Sequence, residues 1–195
     1  MVQINLPENS KVKKGKYFKD KTGSNNLRKV NVYRWDPSSG ENPRIKSNGS
    51  GGILCVYSNS SVGTRAIALS LSGTTLTVPS STTQIRNGTY YGSAVLEWIP
   101  AYSRFYFAMS VAQIQSYLLS ISGTTATITS SGANPHSTTP TYYTSGGLGG
   151  TFFADTGEIY LFYQSPYNPS NLYARFRKVT LTSSTITYDS SSGTY

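Results

Sequence analysis

The chain has 195 residues, a formal charge of +9, charged residues at only 13%, one cysteine and one histidine. One cysteine excludes an internal disulfide, and one cysteine with one histidine excludes a zinc or iron–sulfur centre built by the usual ligand rules from a single copy. No run approaches 18 apolar residues and the start has no apolar signal-peptide core, so neither a membrane span nor a secretion signal is expected; a cytoplasmic or virion-associated location follows as the expectation.

The charge is unevenly spread. Residues 1–46 hold eleven Lys/Arg against four Asp/Glu, whereas residues 47–195 hold six against four. The lysines Lys11, Lys13, Lys14, Lys16, Lys19 and Lys21 stand among small polar residues that offer little to a core, which predicts a basic extended or disordered arm. No aromatic interleaving or nucleic-acid motif accompanies them, so a solvated tail is preferred over a nucleic-acid partner. Val30 and Val32 alternate with polar and aromatic residues, predicting one strand, and Asp36-Pro-Ser-Ser-Gly40 predicts a turn.

Within this arm, Leu6-Pro-Glu-Asn-Ser10, Val32-Tyr-Arg-Trp-Asp-Pro37 and Gly40-Glu-Asn-Pro-Arg44 give residues 1–45 a resemblance to the amino terminus of the bacterial succinate dehydrogenase iron–sulfur subunit. The resemblance implies the first strand and turn of a plant-type ferredoxin domain. The cysteine clusters of that family are absent, and no functional residue can be carried over. The alternative function it implies is a truncated electron-transfer subunit, inactive for lack of cluster ligands. The composition shifts near Lys46, so the chain divides into 1–46, the basic arm with one strand, and 47–195, three β-repeat units. The junction reads as a recombined, truncated or misassembled frame.

The repeat is visible in Leu69-Ser-Leu-Ser-Gly-Thr-Thr-Leu-Thr-Val78, which returns as Leu119-Ser-Ile-Ser-Gly-Thr-Thr-Ala-Thr-Ile128 and, more loosely, as Val179-Thr-Leu-Thr-Ser-Ser-Thr-Ile-Thr-Tyr188. Apolar residues alternate with Ser or Thr on both sides of a short turn, the pattern of a β-hairpin. Leu69, Leu119 and Val179 are equivalent, as are Val78, Ile128 and Tyr188. Ahead of the hairpins stand the apolar runs Ile53–Tyr57, Arg104–Met109 and Glu158–Tyr163, suited to strands buried on both faces. Cys55 falls in the first run, where a small buried residue is expected. Before the latter two runs come Val95–Ile99 and Thr151–Ala154. The fold class expected is all-β: antiparallel four-stranded repeats, about three propeller-like blades, with the basic arm in front. Ile186–Tyr195 reads as a further first strand and its turn. Three blades leave open edges, so self-association through them is expected. In style, residues 48–195 resemble the β-propeller repeats of phage tail and adhesin-like proteins, which implies surface recognition.

Catalytic patterns are lacking. Asp155 and Glu158 flank an Asp-Thr-Gly turn, which matches only the middle of a sialidase-type motif. His136 lies in a Pro-rich loop without a Gly-x-Ser-x-Gly nucleophile elbow, and Gly146–Gly150 lacks the Lys-Ser/Thr of a phosphate loop and reads as a flexible turn. A non-enzymatic binding or structural module is expected, with no catalytic residue, metal or cofactor. The excess of 16 tyrosines marks the ligand-binding candidates: Tyr90, Tyr91, Tyr142 and Tyr143 in loop-like stretches, and Tyr167 beside Pro166 and Pro169, where flat amphipathic rings suit a glycan or a protein surface.

Overall fold

The computed structural model describes residues 3–5, 12–13, 17–18, 28–29, 32–33, 41–59, 61–88, 93–110, 114–132, 148–153, 157–168, 171–189 and 193–194. Every regular element among them is a strand, apart from one turn of 3-10 helix at Pro100–Tyr102. In the arm, β1 (Gln3–Asn5) is followed by β2 (Val12–Lys13), β3 (Tyr17–Phe18), β4 (Arg28–Lys29) and β5 (Val32–Tyr33); β2 pairs β5 and β3 pairs β4. Val32 falls in β5, where alternation predicted a strand.

Three antiparallel meanders follow. The first sheet is built from β6 (Glu41–Ser47), β7 (Gly52–Asn59), β8 (Gly63–Ser72) and β9 (Thr75–Thr77), with β10 (Thr83–Arg86) also on β8 and β1 parallel to β9 at its rim. The second holds β11 (Ala94–Ile99), β12 (Arg104–Ser110), β13 (Ile114–Ser122) and β14 (Thr125–Gly132) in chain order. The third holds β15 (Leu148–Phe153), β16 (Glu158–Asn168), β17 (Asn171–Leu181) and β18 (Ile186–Tyr188), with β19 (Gly193–Thr194) also on β17. β6 runs through the change of composition at residues 46 and 47 and pairs along β7, Arg44 opposite Val56 and Ser47 opposite Ile53. The succinate dehydrogenase-like stretch thus supplies the first strand of the first meander.

The repeat read from the sequence reappears in the register. Ile53 pairs Leu69, Phe105 pairs Leu119, and Ile159 pairs Val179. Beyond the hairpins, Leu119 pairs Ile128 and Val179 pairs Tyr188. Gly73 and Gly123 both have φ +56 and open two-residue loops. A positive φ at the first loop residue is what a type II′ hairpin turn requires, and glycine adopts it without strain. In the first unit the ladder stops at Thr77, ahead of Pro79, and resumes with β10. Proline has no N–H to give a ladder. The third unit shows the same two-piece last strand, β18 then β19. β18 and β19 therefore complete the third sheet, where the sequence suggested a new first strand.

The sheets stack face to face with the second in the middle. One apolar cluster joins the first two sheets through Leu54, Val56, Ala66 and Ala68 against Phe105, Phe107 and Met109. Another joins the last two through Val95, Ile99, Tyr106 and Leu118 against Ile159, Leu161 and Tyr163. The period-two alternation of each strand sends one set of side chains to each face. Hence β12 reads as a continuous apolar run: Phe105, Phe107 and Met109 face one neighbour, Tyr106 and Ala108 the other. The leading strands of the sheets lie side by side. Arg44 Nε donates to Ala94 O at 2.9 Å, and Lys46 Nζ pairs with Glu97 Oε2 at 2.5 Å. On the other side, a Cβ at Gly150 would sit 3.1 Å from Val95 Cγ1. Leu148-Gly-Gly150 is strand, with Leu148 buried, where the sequence suggested a flexible turn over Gly146–Gly150; Gly150 admits the close approach of β11, and Gly146 and Gly147 lie outside the described residues. Among the described residues the meanders form an open stack, all-β, without a closed barrel.

Candidate functional site

Among the described residues, the third sheet has one face against the second sheet and no sheet against the other. On β16, Ile159, Leu161 and Tyr163 point inward and are buried, so Glu158, Tyr160 and Phe162 point outward. Phe176 lies opposite Phe162, Lys178 opposite Tyr160, and Phe153 opposite Glu158. Four rings thereby meet on the outer face. Phe153 stands edge-on to Tyr160 with centroids 5.7 Å apart; Phe176 lies 6.4 Å from Tyr160 and 6.1 Å from Phe162. Such pairs favour each other beyond simple burial. Phe153 and Phe162 are 48% and 49% exposed. Apolar side chains gathered on an uncovered face, rather than scattered singly, mark a contact surface.

The polar groups of this face are occupied with one another. Tyr160 donates to Glu158 Oε2 at 3.1 Å, and Lys178 pairs with Glu158 Oε1. Hydrogen bonding to Glu158 raises the pKa of both Tyr160 and Lys178.

Register equivalence shows what the face corresponds to. Phe153, Tyr160, Phe162, Phe176 and Lys178 occupy the positions of Ile99, Tyr106, Ala108, Ser116 and Leu118 in the second sheet. Those five lie on the side of the second sheet that receives the third.

A second concavity, of about 420 Å³, lies at the end of the first sheet, lined by residues 61–63, Arg65, Gln84, Asn87 and Gly88. Asn59 Oδ1 accepts from the Ser61 and Val62 amides at 2.8 and 3.2 Å, and Thr64 Oγ1 donates to Gly88 O at 2.9 Å, fixing the rim. Arg65 donates to Thr82 Oγ1 at 3.1 Å. Its lining offers one cation, two side-chain amides and the Ser61 hydroxyl, without a carboxylate.

Between the second and third sheets lies a buried hydroxyl cluster. Tyr106 and Ser116 are 3.0 Å apart, Ser116 also bonds the Tyr188 hydroxyl, and the Tyr106 and Tyr188 hydroxyls are 3.5 Å apart. Burial pushes the pKa of Tyr106 and Tyr188 up. The Tyr163 hydroxyl is buried without a hydrogen-bond partner among the described residues. Cys55 is a partly buried free thiol whose pKa burial raises to about 11, so it is a weak nucleophile. Among the described residues no three His, Cys, Asp or Glu are grouped to hold a metal ion, and no helix is long and apolar enough to cross a membrane.

Of the tyrosines singled out from the sequence, Tyr90, Tyr91, Tyr142 and Tyr143 lie outside the described residues, as do His136 and Asp155. Tyr167 lies in β16, at the irregularity between Pro166 and Asn168. The aromatic face was missed because an apolar run reads as a strand buried on both sides. The available signal was the repeat itself, whose register equivalence puts Phe153, Tyr160 and Phe162 on one face of the third sheet.

No family model matches the chain, and no solved structure matches it. Forty-five residues are 53% identical to the succinate dehydrogenase iron–sulfur subunit of Paracoccus denitrificans, 23% of this chain and 17% of that protein. The chain thus shares one short stretch with this relative and spans far less than two thirds of its length.

Proposed function

We propose that the chain is a non-enzymatic β-repeat module that works by docking through the outer face of its third sheet, as a surface-recognition part of a phage tail or adhesin-like assembly. The observation that carries this reading is the set of four rings in mutual contact on a bare sheet face, two of them half exposed. A propeller-like arrangement of the sheets is supported by their common stacking direction and by the side-by-side leading strands. The loop pairs Tyr90-Tyr91 and Tyr142-Tyr143 are additional candidate contacts of the same module.

The reading is tested by Phe162→Thr at submicromolar chain concentration. A docking face open to solvent binds the apolar dye anilinonaphthalene sulfonate; the variant loses at least half of that fluorescence, and its unfolding free energy falls by no more than about 1.5 kcal/mol, the scale of its ring contact with Phe176. Unchanged dye binding together with a loss of stability above about 1.5 kcal/mol identifies the position as core and ends the proposal.

A second reading is favoured by the 45-residue similarity: a truncated succinate dehydrogenase iron–sulfur subunit. That reading lacks the cluster ligands, so stoichiometric iron with visible absorbance in purified protein would overturn the binding-module reading in favour of a working electron-transfer subunit.

A further inference from the structure

We propose that the concavity at the end of the first sheet binds a carboxylate-bearing sugar of an acidic polysaccharide, with Arg65 as the group that takes the carboxylate. The site belongs to the first sheet alone, and the proposal does not depend on docking at the third.

The charge comes first. Residues 47–96 contain no Asp, Glu, Lys or His, and their only charged side chains are Arg65 and Arg86. The fold brings both to one place. Arg65, on β8, lines the concavity. Arg86, at the end of β10, sets its Nη1 3.5 Å from where a Cβ on the lining residue Gly88 would stand. Neither arginine is ion-paired with a carboxylate among the described residues. Arg65 is partly buried, and its Nε is buried outright, so its stem is packed in place and its planar fork is preorganised at the wall. Thr82 Oγ1 accepts from Nη1 at 3.1 Å, which answers one donor of the fork and leaves the charge unanswered. A carboxylate is the acceptor that matches such a fork in shape and sign.

The neutral lining suits a sugar. The Gln84 side-chain amide donates to Asn87 Oδ1, which leaves the Gln84 carbonyl to accept and the Asn87 nitrogen to donate, and Ser61 adds a hydroxyl. Neighbouring donors and acceptors match sugar hydroxyls, each of which gives and takes a hydrogen bond. The wall is fixed before any ligand arrives. Gly63 has φ +80, and a Cβ there would lie 2.2 Å from Arg86 O and 2.6 Å from Gly88 N. Glycine thus lets the chain after β10 close against the start of β8, and Thr64 Oγ1 ties Gly88 O at 2.9 Å. A preformed wall spares the cost of ordering it on binding.

Other anions fit less well. A phosphate is cradled by successive backbone N–H groups, but here the Ser61 and Val62 amides already donate to Asn59 Oδ1. An acidic peptide is held by main-chain pairing, and the same two amides are lost to it. At about 420 Å³ the concavity falls at the small end of ligand sites, which span about 300–1,000 Å³. That is the scale of a short run of sugar rings.

The test is titration calorimetry of the full chain with trigalacturonate, and separately with neutral galactotriose, sodium sulfate and a triglutamate peptide. The variants are Arg65→Gln, Asn87→Ala and Arg104→Gln. Arg104 donates to the turn carbonyls of Tyr102 and Ser103 in the second sheet, so its replacement removes the same charge away from the site. Circular dichroism checks that each variant keeps its strands. Wild type should bind trigalacturonate about tenfold or more tighter than the other three ligands. Arg65→Gln should weaken that binding about tenfold or more, because charge-assisted hydrogen bonds are lost, while Arg104→Gln leaves it within about twofold. Asn87 is exposed, so Asn87→Ala tests the site even if Arg65→Gln fails to fold, and a weakening of about threefold or more is expected. No binding by wild type at about 10 mM trigalacturonate overturns the proposal. So does equal binding of the neutral sugar, of sulfate, which is a bare anion site, or of the peptide, which is an acidic-peptide site. Binding that survives both Arg65→Gln and Asn87→Ala, or that falls as far in Arg104→Gln, which is attraction to net charge alone, overturns it as well.

Discussion

The buried hydroxyls between the second and third sheets give opposite signs to chemically similar mutations. Tyr163 is 4% exposed and its hydroxyl has no hydrogen-bond partner. Leaving such a group unmade costs about 1–3 kcal/mol. Tyr163→Phe removes the hydroxyl and keeps the ring, so it should stabilise the fold by about 1 kcal/mol. Tyr106→Phe should do the reverse. It deletes the 3.0 Å contact to Ser116 while Ser116 keeps Tyr188, a loss of about 1 kcal/mol. Ser116→Ala should cost more, about 2 kcal/mol, because it leaves the Tyr106 and Tyr188 hydroxyls with only their 3.5 Å contact. The assay is urea unfolding followed by far-ultraviolet circular dichroism. With a slope of about 2 kcal/mol/M, Tyr163→Phe raises the midpoint by about 0.5 M and Ser116→Ala lowers it by about 1 M. A lower midpoint for Tyr163→Phe would refute the reasoning, since it would mean that the hydroxyl is in use.

Alkali should destabilise the protein. Burial raises the pKa of Tyr106 and Tyr188 above the ordinary 10.0, so their stabilising contribution is whole below pH 10 and declines above it as unfolded tyrosines ionise; a midpoint in urea that stays level between pH 9.5 and 11.5 contradicts this. Cys55, with its pKa at about 11 instead of 9.0, should carry about 100-fold less thiolate at pH 8 than an ordinary cysteine, and reaction with a disulfide reagent should be slower by at least that factor until urea unfolds the chain. Phe105→Ala, at a fully buried site between the first two sheets, should cost about 3–5 kcal/mol, and a midpoint shift equivalent to less than 1 kcal/mol would disprove the packing. Gly132→Ala would place its Cβ 2.8 Å from Ile186 Cβ, so a loss of about 1–3 kcal/mol is expected, and no loss would show that the two sheets are further apart.

Local sequence determined the strands, the hairpins and their register. Leu69, Leu119 and Val179 were equivalent by repetition alone, and they pair with Ile53, Phe105 and Ile159 in three successive sheets. This was legible because period-two alternation and a Gly-Thr turn are properties of adjacent residues. The similarity of the arm to a respiratory subunit was legible for the same reason, from short contiguous blocks. The place of β6 was not. Its Glu41-Asn-Pro-Arg-Ile-Lys-Ser47 has a composition unlike that of the repeats, and it became their first strand only by meeting the free edge of β7. Nor could Leu148-Gly-Gly150 be read as strand, since the crowding that calls for glycine at Gly150 comes from Leu161 and Tyr160 on the paired strand and Val95 on another sheet. The aromatic face was decided last of all. Phe162 and Leu161 are neighbours in one apolar run, and which of them is buried depends on which side the second sheet packs. Alternation assigns side chains to two faces, but only the stacking of sheets decides which face is covered.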